Sequence, residues 1–271
     1  RFGFYRNFID PYAYSWQNGN SRWDVLDLMR ITHALRPEGI VWPLNEAGMP
    51  SFKLTDLTAA NHIEQVGAHD ALVDVKATIA VAKLVKKHQP RLFDYYFDLR
   101  NKQSVARLIN PDKPQIVLHV SGMFPSEQGC LAPVIPLLKH PTNANEIICY
   151  NLRVNPQSML EMDAEQIRQR LYTRAIDLAE GEQRMALKGI SLNKSPALAP
   201  VTTLTPQLAE KWAVNWDDIN RHYKMLLESP NLKSKLTDVY KESAEYADTD
   251  ADSALYEGFI SPQDRLRCNQ L

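Results

Sequence analysis

The 271-residue sequence predicts a mixed α/β protein with a helical first part, a β-rich middle and a helical end. Apolar residues recur mostly at helical spacing up to residue 89, whereas residues 90–200 contain short apolar runs separated by Gly and Pro. Thr205-Pro206 then offers a helix cap followed by proline at the first helical position. Because a chain of this length exceeds one ordinary hydrophobic core, we expect two domains or parts of three.

Residues 1–89 are expected to form helices joined by short connectors. A first helix, which Asn20 or Ser21 can cap, should end before Pro37, because proline disfavours the α conformation in the residue that precedes it. A short helix at 52–58 follows. Strands are scarce in this part of the sequence.

A longer helix is predicted at residues 71–88. Gln89-Pro90 marks its end, and we place the first domain boundary there, between 89 and 90. Six residues recur at 3.6-residue spacing and predict its buried face: Ala71, Val75, Thr78, Ile79, Ala82 and Val85.

Residues 90–245 form the second predicted domain. A helix is expected at about 163–174, where Asp163 and Gln166 form a capping-box pattern. Runs with β character predict a small antiparallel barrel or sheet, at residues 115–120, 131–137, 145–152 and 187–193. Further helices are expected at roughly 206–213, 217–228 and 231–245.

Residues 246–271 are predicted to be a linker and the start of another domain. Aspartates alternate with small residues at 248–252, which indicates a solvated linker, because the glycine turn and closing glutamate of a calcium loop are missing from the required positions. Since Arg1 is not Met and the first residues have the character of a folded segment, we expect the sequence to be a fragment.

The bulk composition excludes several classes of protein. With 31 basic and 32 acidic residues, net charge indicates neither a nucleic-acid binder nor a membrane-surface protein, so any electrostatic site must be local. No apolar run approaches the roughly 20 residues that span a bilayer, and we expect a cytoplasmic protein without a membrane partner. Cys130, Cys149 and Cys268 lack a Cys-x-x-Cys pattern and are expected to be reduced thiols.

His69 and Asp74 are the most informative pair of residues. They lie five apart at the opening of the predicted 71–88 helix, a spacing that suits a metal-bound carboxylate beside a proton-accepting imidazole. Two-metal chemistry needs at least two further carboxylates. The alternative is structural: His69 caps the helix, and Asp74 favours its positive N-terminal end. The spacing leaves both interpretations open.

Positive charge is concentrated between Lys83 and Lys113, where the sequence has eight Lys and Arg residues but only three Asp residues. Aromatic residues at 93–97 are interleaved with them. Positive charge beside aromatic rings is typical of single-strand binding, although a solvated helix with buried aromatics explains the pattern equally well. The candidate nucleic-acid contacts are Lys53, Lys83, Lys86, Lys87, Arg91 and Lys113.

Segments along essentially the whole chain carry a resemblance to a known family. They are residues 4–8, 10–12, 20–24, 34–40, 50–52, 68–71 with Asp74, 82–86, 89–95, 119–124, 170–173 and 255–259. Together they resemble exonuclease I, the bacterial single-strand-specific 3′→5′ DNA exonuclease family of the DEDDh superfamily.

The resemblance implies an α/β fold in three parts. Residues 1–89 would be the C-terminal portion of a ribonuclease H-like nuclease domain, and residues 90–245 an SH3-like β-barrel domain with inserted and appended helices. Residues 246–271 would begin a helical domain, and the three parts of the family form a clamp around single-stranded DNA.

The resemblance also implies an enzyme that releases nucleoside 5′-monophosphates from single-stranded DNA in repair and recombination. It implies two Mg²⁺ ions, with Mn²⁺ able to substitute, His69 as general base and Asp74 as the last metal carboxylate. The family's other three acids would precede Arg1, so we expect the 271 residues alone to be incomplete for activity.

A protein partner follows from the same resemblance, namely the acidic C-terminal tail of single-stranded DNA-binding protein. Arg36 and Tyr95 fall at matching positions, whereas Gln115 stands where the family can carry a lysine, with Lys113 nearby. A buried-core role for Tyr95 is the alternative. We expect a monomer.

Two rival functions stay open at this point. One is another DEDDh nuclease that acts on RNA or on duplex ends, which substrates with and without a 2′-hydroxyl would separate. The other is a non-catalytic binding module for single-stranded DNA or a partner tail, whose salt-sensitive binding would be unaffected by His69→Ala.

Overall fold

The computed structural model describes residues 3, 4, 7, 9–64, 70–178, 184–241, 261–268 and 270. The chain divides into two compact units, one formed by residues 1–22 with 242–271 and the other by Trp23–Lys241. The larger unit holds the sheet and the pockets described below. The linker predicted at 246–253 lies outside the described residues.

The α-helices lie mainly before residue 117 and after residue 200, with two more between residues 157 and 172. They are α1 (Val25–Leu35), α2 (Leu54–Ala60), α3 (Ala71–His88), α4 (Pro90–Asp98), α5 (Lys102–Leu108), α6 (Gln157–Glu161), α7 (Ala164–Tyr172), α8 (Pro206–Lys211), α9 (Trp216–Glu228), α10 (Leu232–Lys241) and α11 (Pro262–Cys268). None of the helices in the described ranges combines the length and apolarity needed to cross a bilayer.

The first long helix, α1, is capped by Asp24 and not by Asn20 or Ser21. The Asp24 side chain accepts a hydrogen bond from the backbone N–H of Leu26 at 2.8 Å, which satisfies one of the free donors at the helix start. The predicted cap was therefore wrong by a few residues. The helix ends at Leu35, close to the predicted stop before Pro37.

Helix α3 has the predicted length, but of the six residues predicted to be buried only Val85 is fully so. Ala77, Val81 and Val85 are buried, whereas Val75 and Ile79 of the predicted buried face are 55% and 49% exposed. The helix is apolar around much of its circumference, so periodicity alone could not select the face. Packing against α1, α2 and α4 selects it.

Helices α3 and α4 meet at a single residue. Gln89 donates its backbone N–H to the carbonyl oxygen of Val85 at 2.7 Å, and Phe93 donates to the carbonyl oxygen of Gln89 at 3.0 Å. Pro90 occupies the first helical position of α4, where a missing N–H costs nothing. The helix end predicted at Gln89-Pro90 is confirmed.

The strands form one five-stranded antiparallel sheet in the order β4-β3-β2-β1-β5. They are β1 (Val117–Val120), β2 (Leu131–Lys139), β3 (Glu146–Asn151), β4 (Leu187–Ser191) and β5 (Ala197–Pro200). Each of the first four falls within or close to a predicted run. The fifth was missed because it is short and ends in proline, a residue that sequence patterns assign to turns.

The sheet and the helices share one buried core. Helix α1 packs against β1 and β5, and α10 packs against β2 and α7. The predicted capping box of α7 is present, with Asp163 accepting from the N–H of Gln166 at 2.8 Å and the Gln166 side chain accepting from the N–H of Asp163 at 3.0 Å.

Candidate functional site

Asp74 lies in the first turn of α3. Asp70 caps this helix by accepting hydrogen bonds from the N–H groups of Leu72 and Val73 at 3.0 and 3.3 Å. Asp74 donates its backbone N–H to the carbonyl oxygen of Asp70 at 3.0 Å, and its side chain is half-buried. The cap therefore fixes the turn that carries the Asp74 carboxylate. His69, its predicted companion, lies outside the described residues.

The described residues do not by themselves form a metal centre. Among them, no group of three or more His, Cys, Asp and Glu side chains is arranged to hold a metal ion. Asp74 can offer oxygen ligands of the kind that Mg²⁺ prefers, but a two-metal site needs several carboxylates. Asp74 alone therefore does not make such a site.

A second site is a pocket of about 410 Å³ between α1, α4 and the end of β5. We call it the Arg36 pocket. Its lining residues are Leu35, Arg36, Gln89, Arg91, Leu92, Tyr95, Ala199, Pro200 and Thr203. The structure thus places both predicted partner-binding residues, Arg36 and Tyr95, in one cavity, together with one predicted nucleic-acid contact, Arg91.

Arg36 is held in this pocket by backbone oxygens. It is the C-terminal cap residue of α1, and its guanidinium donates to the carbonyl oxygens of Leu35 and Thr203, the latter at 2.9 Å. Thr203 is held in turn by a 2.6 Å hydrogen bond from its hydroxyl to the carbonyl oxygen of Pro200. The positive charge of Arg36 is therefore oriented without being neutralised.

Tyr95 also lines this cavity. Its hydroxyl is buried and has no hydrogen-bond partner among the described residues. Burial raises the pKa of Tyr95 to about 12, with a further contribution from the negative charge of Asp98. A buried hydroxyl without a partner is costly, and a ligand that accepts its hydrogen bond would remove that cost.

The pocket as a whole combines positive charge with an apolar floor. Neither Arg36 nor Arg91 forms an ion pair in the described part of the chain. Leu35, Leu92 and Pro200 supply apolar surface beside them. An anionic group attached to an apolar side chain matches this combination.

The predicted nucleic-acid contacts do not converge on one described cavity. Lys83, Lys86 and Lys87 are exposed on α3, and Lys53 and Lys113 are exposed elsewhere on the larger unit. Only Arg91 of this set lines the Arg36 pocket. The set therefore forms a dispersed basic surface.

The aromatic residues of α4 divide between core and surface. Tyr96 is buried and donates its hydroxyl to the carbonyl oxygen of Ser195 at 3.0 Å. Phe93 and Phe97 stack with their ring centroids 6.2 Å apart, and Phe97 is 40% exposed. The Arg100 guanidinium lies 4.4 Å from the Phe97 ring centroid. The aromatic run is thus divided between core and surface, and its role in single-strand binding stays a prediction.

Sequence reasoning missed the β5 side of the Arg36 pocket. Ala199, Pro200 and Thr203 contribute a wall and a backbone acceptor, and a carbonyl oxygen leaves no signature in residue types. Recognition of β5 beside β1 would have been the available signal, because α1 packs on both strands.

The fold and the pockets together define a protein with a helical region packed on an SH3-like domain. The family model described as the exonuclease I SH3-like domain matches residues 100–242. The chain belongs to the exonuclease I family. This confirms the resemblance and the predicted fold class.

Curated relatives and solved structures agree with this assignment. The chain is 46% identical to exodeoxyribonuclease I of Escherichia coli over 97% of its length and 55% of that protein. It is 43% identical to exodeoxyribonuclease I of Haemophilus influenzae over 98% of its length and 56% of that protein. The chain thus spans a little over half the length of these relatives.

Two solved structures illustrate the structural similarity. E. coli exonuclease I in complex with a dA16 oligonucleotide matches 99% of this chain and 57% of that chain, with a TM-score of 0.94 at 45% identity. A structure described as SSB/exonuclease I in complex with the inhibitor CFAM matches 99% of this chain and 56% of that chain, with a TM-score of 0.86 at 44% identity.

Proposed function

We propose that these residues belong to a 3′→5′ exonuclease that hydrolyses single-stranded DNA to nucleoside 5′-monophosphates. The observation that carries the proposal is the similarity, over nearly the whole chain, to an exonuclease I structure that holds an oligonucleotide. The exposed lysines of α3 support it, because such side chains attract a phosphate backbone. DNA repair and recombination are the processes we assign to it.

Within this proposal, Asp74 is one metal ligand and His69 is the general base. Two Mg²⁺ ions, for which Mn²⁺ can substitute, would activate the attacking water and stabilise charge on the phosphate. The contribution of the described residues is to position a carboxylate, since the Asp70 cap holds the turn that carries Asp74. An imidazole suits the base because its ordinary pKa is about 6.5.

Replacement of Asp74 by Asn in the natural protein that contains these residues tests the assignment. We expect Mg²⁺-dependent release of mononucleotides from labelled single-stranded DNA to fall by at least about 10²-fold, while DNA binding in EDTA changes little. Asp70→Asn is the matched control, because Asn also caps helices well. Normal turnover by the Asp74 variant would exclude this carboxylate as a required metal ligand.

His69→Ala and a change of substrate separate the rival functions. An exonuclease should lose cleavage and keep salt-sensitive binding in this variant, whereas a binding module has no metal-dependent cleavage to lose. Equal degradation of RNA, or of blunt duplex ends, would favour another nuclease of the superfamily.

We also propose that the Arg36 pocket binds the acidic C-terminal tail of single-stranded DNA-binding protein. The orientation of Arg36 by backbone oxygens, without a neutralising carboxylate, supports this role, as does the unpartnered Tyr95 hydroxyl. A guanidinium positioned in this way can pair with a carboxylate. The apolar floor would take the side chain next to that carboxylate.

Binding of a fluorescent acidic tail peptide tests the pocket. Arg36→Ala should weaken binding by about tenfold or more, because a charge-assisted hydrogen bond contributes roughly 1.5–3 kcal/mol. Arg107→Ala, which removes an exposed arginine outside the pocket, is the control. Equal affinities of the two variants would exclude the pocket as the tail site.

We propose a monomeric, cytoplasmic protein, and light scattering tests the monomer.

A further inference from the structure

A cavity on the sheet side of the larger unit has no role in the functions considered so far. It has a volume of about 370 Å³ and lies between the end of β3, α6, α7 and the segment that leads into β4. No residue of α3 or of the Arg36 pocket lines it. Its lining residues are Tyr150, Arg153, Val154, Asn155, Ser158, Met159, Arg170, Arg184, Met185 and Ala186. We call it the Arg153 cavity.

The polar residues of the Arg153 cavity are rich in hydrogen-bond donors. Arg153, Arg170 and Arg184 carry positive charge, and none of the described residues that line the cavity is Asp or Glu. Asn155 uses its side-chain oxygen to accept from the backbone N–H of Gln157 at 3.0 Å, so the amide nitrogen is the part of the side chain left to donate. A cavity of this character favours an anion.

Arg153 is a fixed cation beside the cavity. Its guanidinium donates to three carbonyl oxygens, those of Leu131, Ala213 and Trp212, at 3.1, 3.0 and 3.0 Å. Carbonyl oxygens satisfy the donors but do not neutralise the charge. Burial lowers the pKa of Arg153 to about 10, which leaves the side chain charged at neutral pH.

Arg184 and Tyr150 provide groups that a ligand can use directly. Arg184 is exposed at the cavity and has no hydrogen bond or ion pair in the described part of the chain. The Tyr150 side chain is buried, and burial raises the pKa of its hydroxyl, which therefore stays a neutral donor. A ligand can therefore bind the Arg184 guanidinium and the Tyr150 hydroxyl without the loss of any interaction in the described part of the chain.

We infer that the Arg153 cavity binds a phosphate group. Guanidinium groups pair with phosphate oxygens in a bidentate manner, and hydroxyl and amide donors complete the shell around a tetrahedral anion. The inference rests on the proposed function, which supplies a phosphate-bearing ligand in two forms. One is a phosphodiester of the bound strand, and the other is the phosphomonoester of a released mononucleotide.

Arg184→Gln in the natural protein that contains these residues tests the inference, with Arg221→Gln as its control and EDTA present to prevent hydrolysis of the DNA. Each variant loses one exposed positive charge, but Arg221 lies on α9, outside the cavity, where it pairs with Asp218. The readouts are the affinity for an oligothymidylate across a series of salt concentrations and the affinity for thymidine 5′-monophosphate. A thermal melt of each variant checks that it is folded.

A phosphodiester in the cavity predicts that Arg184→Gln weakens oligonucleotide binding about tenfold or more. It also predicts that the slope of log affinity against log salt falls by about 0.7, while Arg221→Gln behaves as the unmodified chain. An effect on thymidine monophosphate alone would assign the cavity to the monoester and still support a phosphate site. Tyr150→Phe should weaken the same ligand without changing the salt slope.

Failure of this inference can be told apart from failure of the proposed function. If the unmodified chain binds oligonucleotide and both Gln variants bind both ligands equally well, the phosphate cavity is excluded and DNA binding stands. If the unmodified chain binds neither ligand, the inference and the proposed DNA binding by these residues are both overturned.

Discussion

Trp212 donates its indole N–H to the carbonyl oxygen of Ala34 at 2.8 Å, across 178 positions of sequence. Trp212 is the C-terminal cap residue of α8, and Ala34 lies in the last turn of α1. This hydrogen bond ties the helical region before the sheet to the helices after it. It also holds the end of α1, from which Arg36 enters its pocket.

Loss of this hydrogen bond should destabilise the fold. Trp212→Phe keeps an aromatic ring but leaves a buried carbonyl oxygen without its donor, so we expect a loss of about 1–3 kcal/mol in the free energy of unfolding by urea. Trp216→Phe is the control, since Trp216 is only half-buried and its indole makes no described hydrogen bond. If the two variants lose equal stability, ring size matters and the hydrogen bond to Ala34 does not.

Gly129 packs directly under the same tryptophan and should not tolerate a side chain. Its φ is +67°, and an added Cβ would lie 2.7 Å from the Trp212 ring. Gly48 has a φ of +73° with open space around it. We expect Gly48→Ala to show the backbone strain alone, about 1 kcal/mol, and Gly129→Ala to cost at least about 1 kcal/mol more in the same unfolding experiment. Similar losses would mean that Trp212 moves aside freely.

His33 should make the fold sensitive to acid. Burial lowers the pKa of His33 to about 4, and Lys211 adds to the effect. Rings of Trp42, Phe52 and Trp212 lie 4.9–5.6 Å away, and Nδ1 is buried without a partner. The folded chain therefore binds fewer protons than the unfolded chain between about pH 6.5 and 4, so stability is lost as the pH falls through that window.

His33→Phe measures this contribution. Between pH 6.5 and 4, protonation of His33 should lower the free energy of unfolding of the unmodified chain by on the order of 3 kcal/mol. The variant should lack this loss, and urea unfolding at each pH measures it. His119, whose pKa burial lowers to about 3, still contributes to acid sensitivity in the variant. Exposed His88→Phe is the matched control. An unchanged pH dependence in His33→Phe would show that folding does not lower the pKa of His33.

Tyr95→Phe should separate stability from binding. Removal of a buried hydroxyl without a partner should leave the melting temperature unchanged or raise it, whereas affinity for the acidic tail peptide should fall. Tyr223→Phe should do the reverse, because the Tyr223 hydroxyl donates to the carbonyl oxygen of Pro114 at 3.0 Å. A destabilised Tyr95 variant with intact peptide binding would identify Tyr95 as a core residue.

Local sequence signals predicted the elements that are defined by local chemistry. Pro90 at the first position of α4 and the Asp163 capping box were readable because a few adjacent residues satisfy the helix ends. The buried face of α3 was not readable, because Val75 and Val81 are equally apolar and only packing distinguishes them. Tertiary contacts decided that question.

The candidate sites divide in the same way. Arg36 and Tyr95 were found through family resemblance and lie in one pocket, but the carbonyl oxygen of Thr203 that orients Arg36 could not be predicted from residue types. The role of Arg153 could not be predicted from the sequence, since a single arginine after a strand forms no recognisable motif. Only the fold brings Arg184 to the same cavity.

Helix α3 connects the turn that carries Asp74 directly to Gln89 at the Arg36 pocket. Helix α3 begins at the turn that carries Asp74 and continues for 18 residues, about 27 Å, to Gln89, which lines the Arg36 pocket. A ligand that displaces Gln89 must carry α3 with it or break the 2.7 Å hydrogen bond to Val85. Because α3 is one continuous helix, a displacement of Gln89 that keeps this hydrogen bond would also move the turn that carries Asp74.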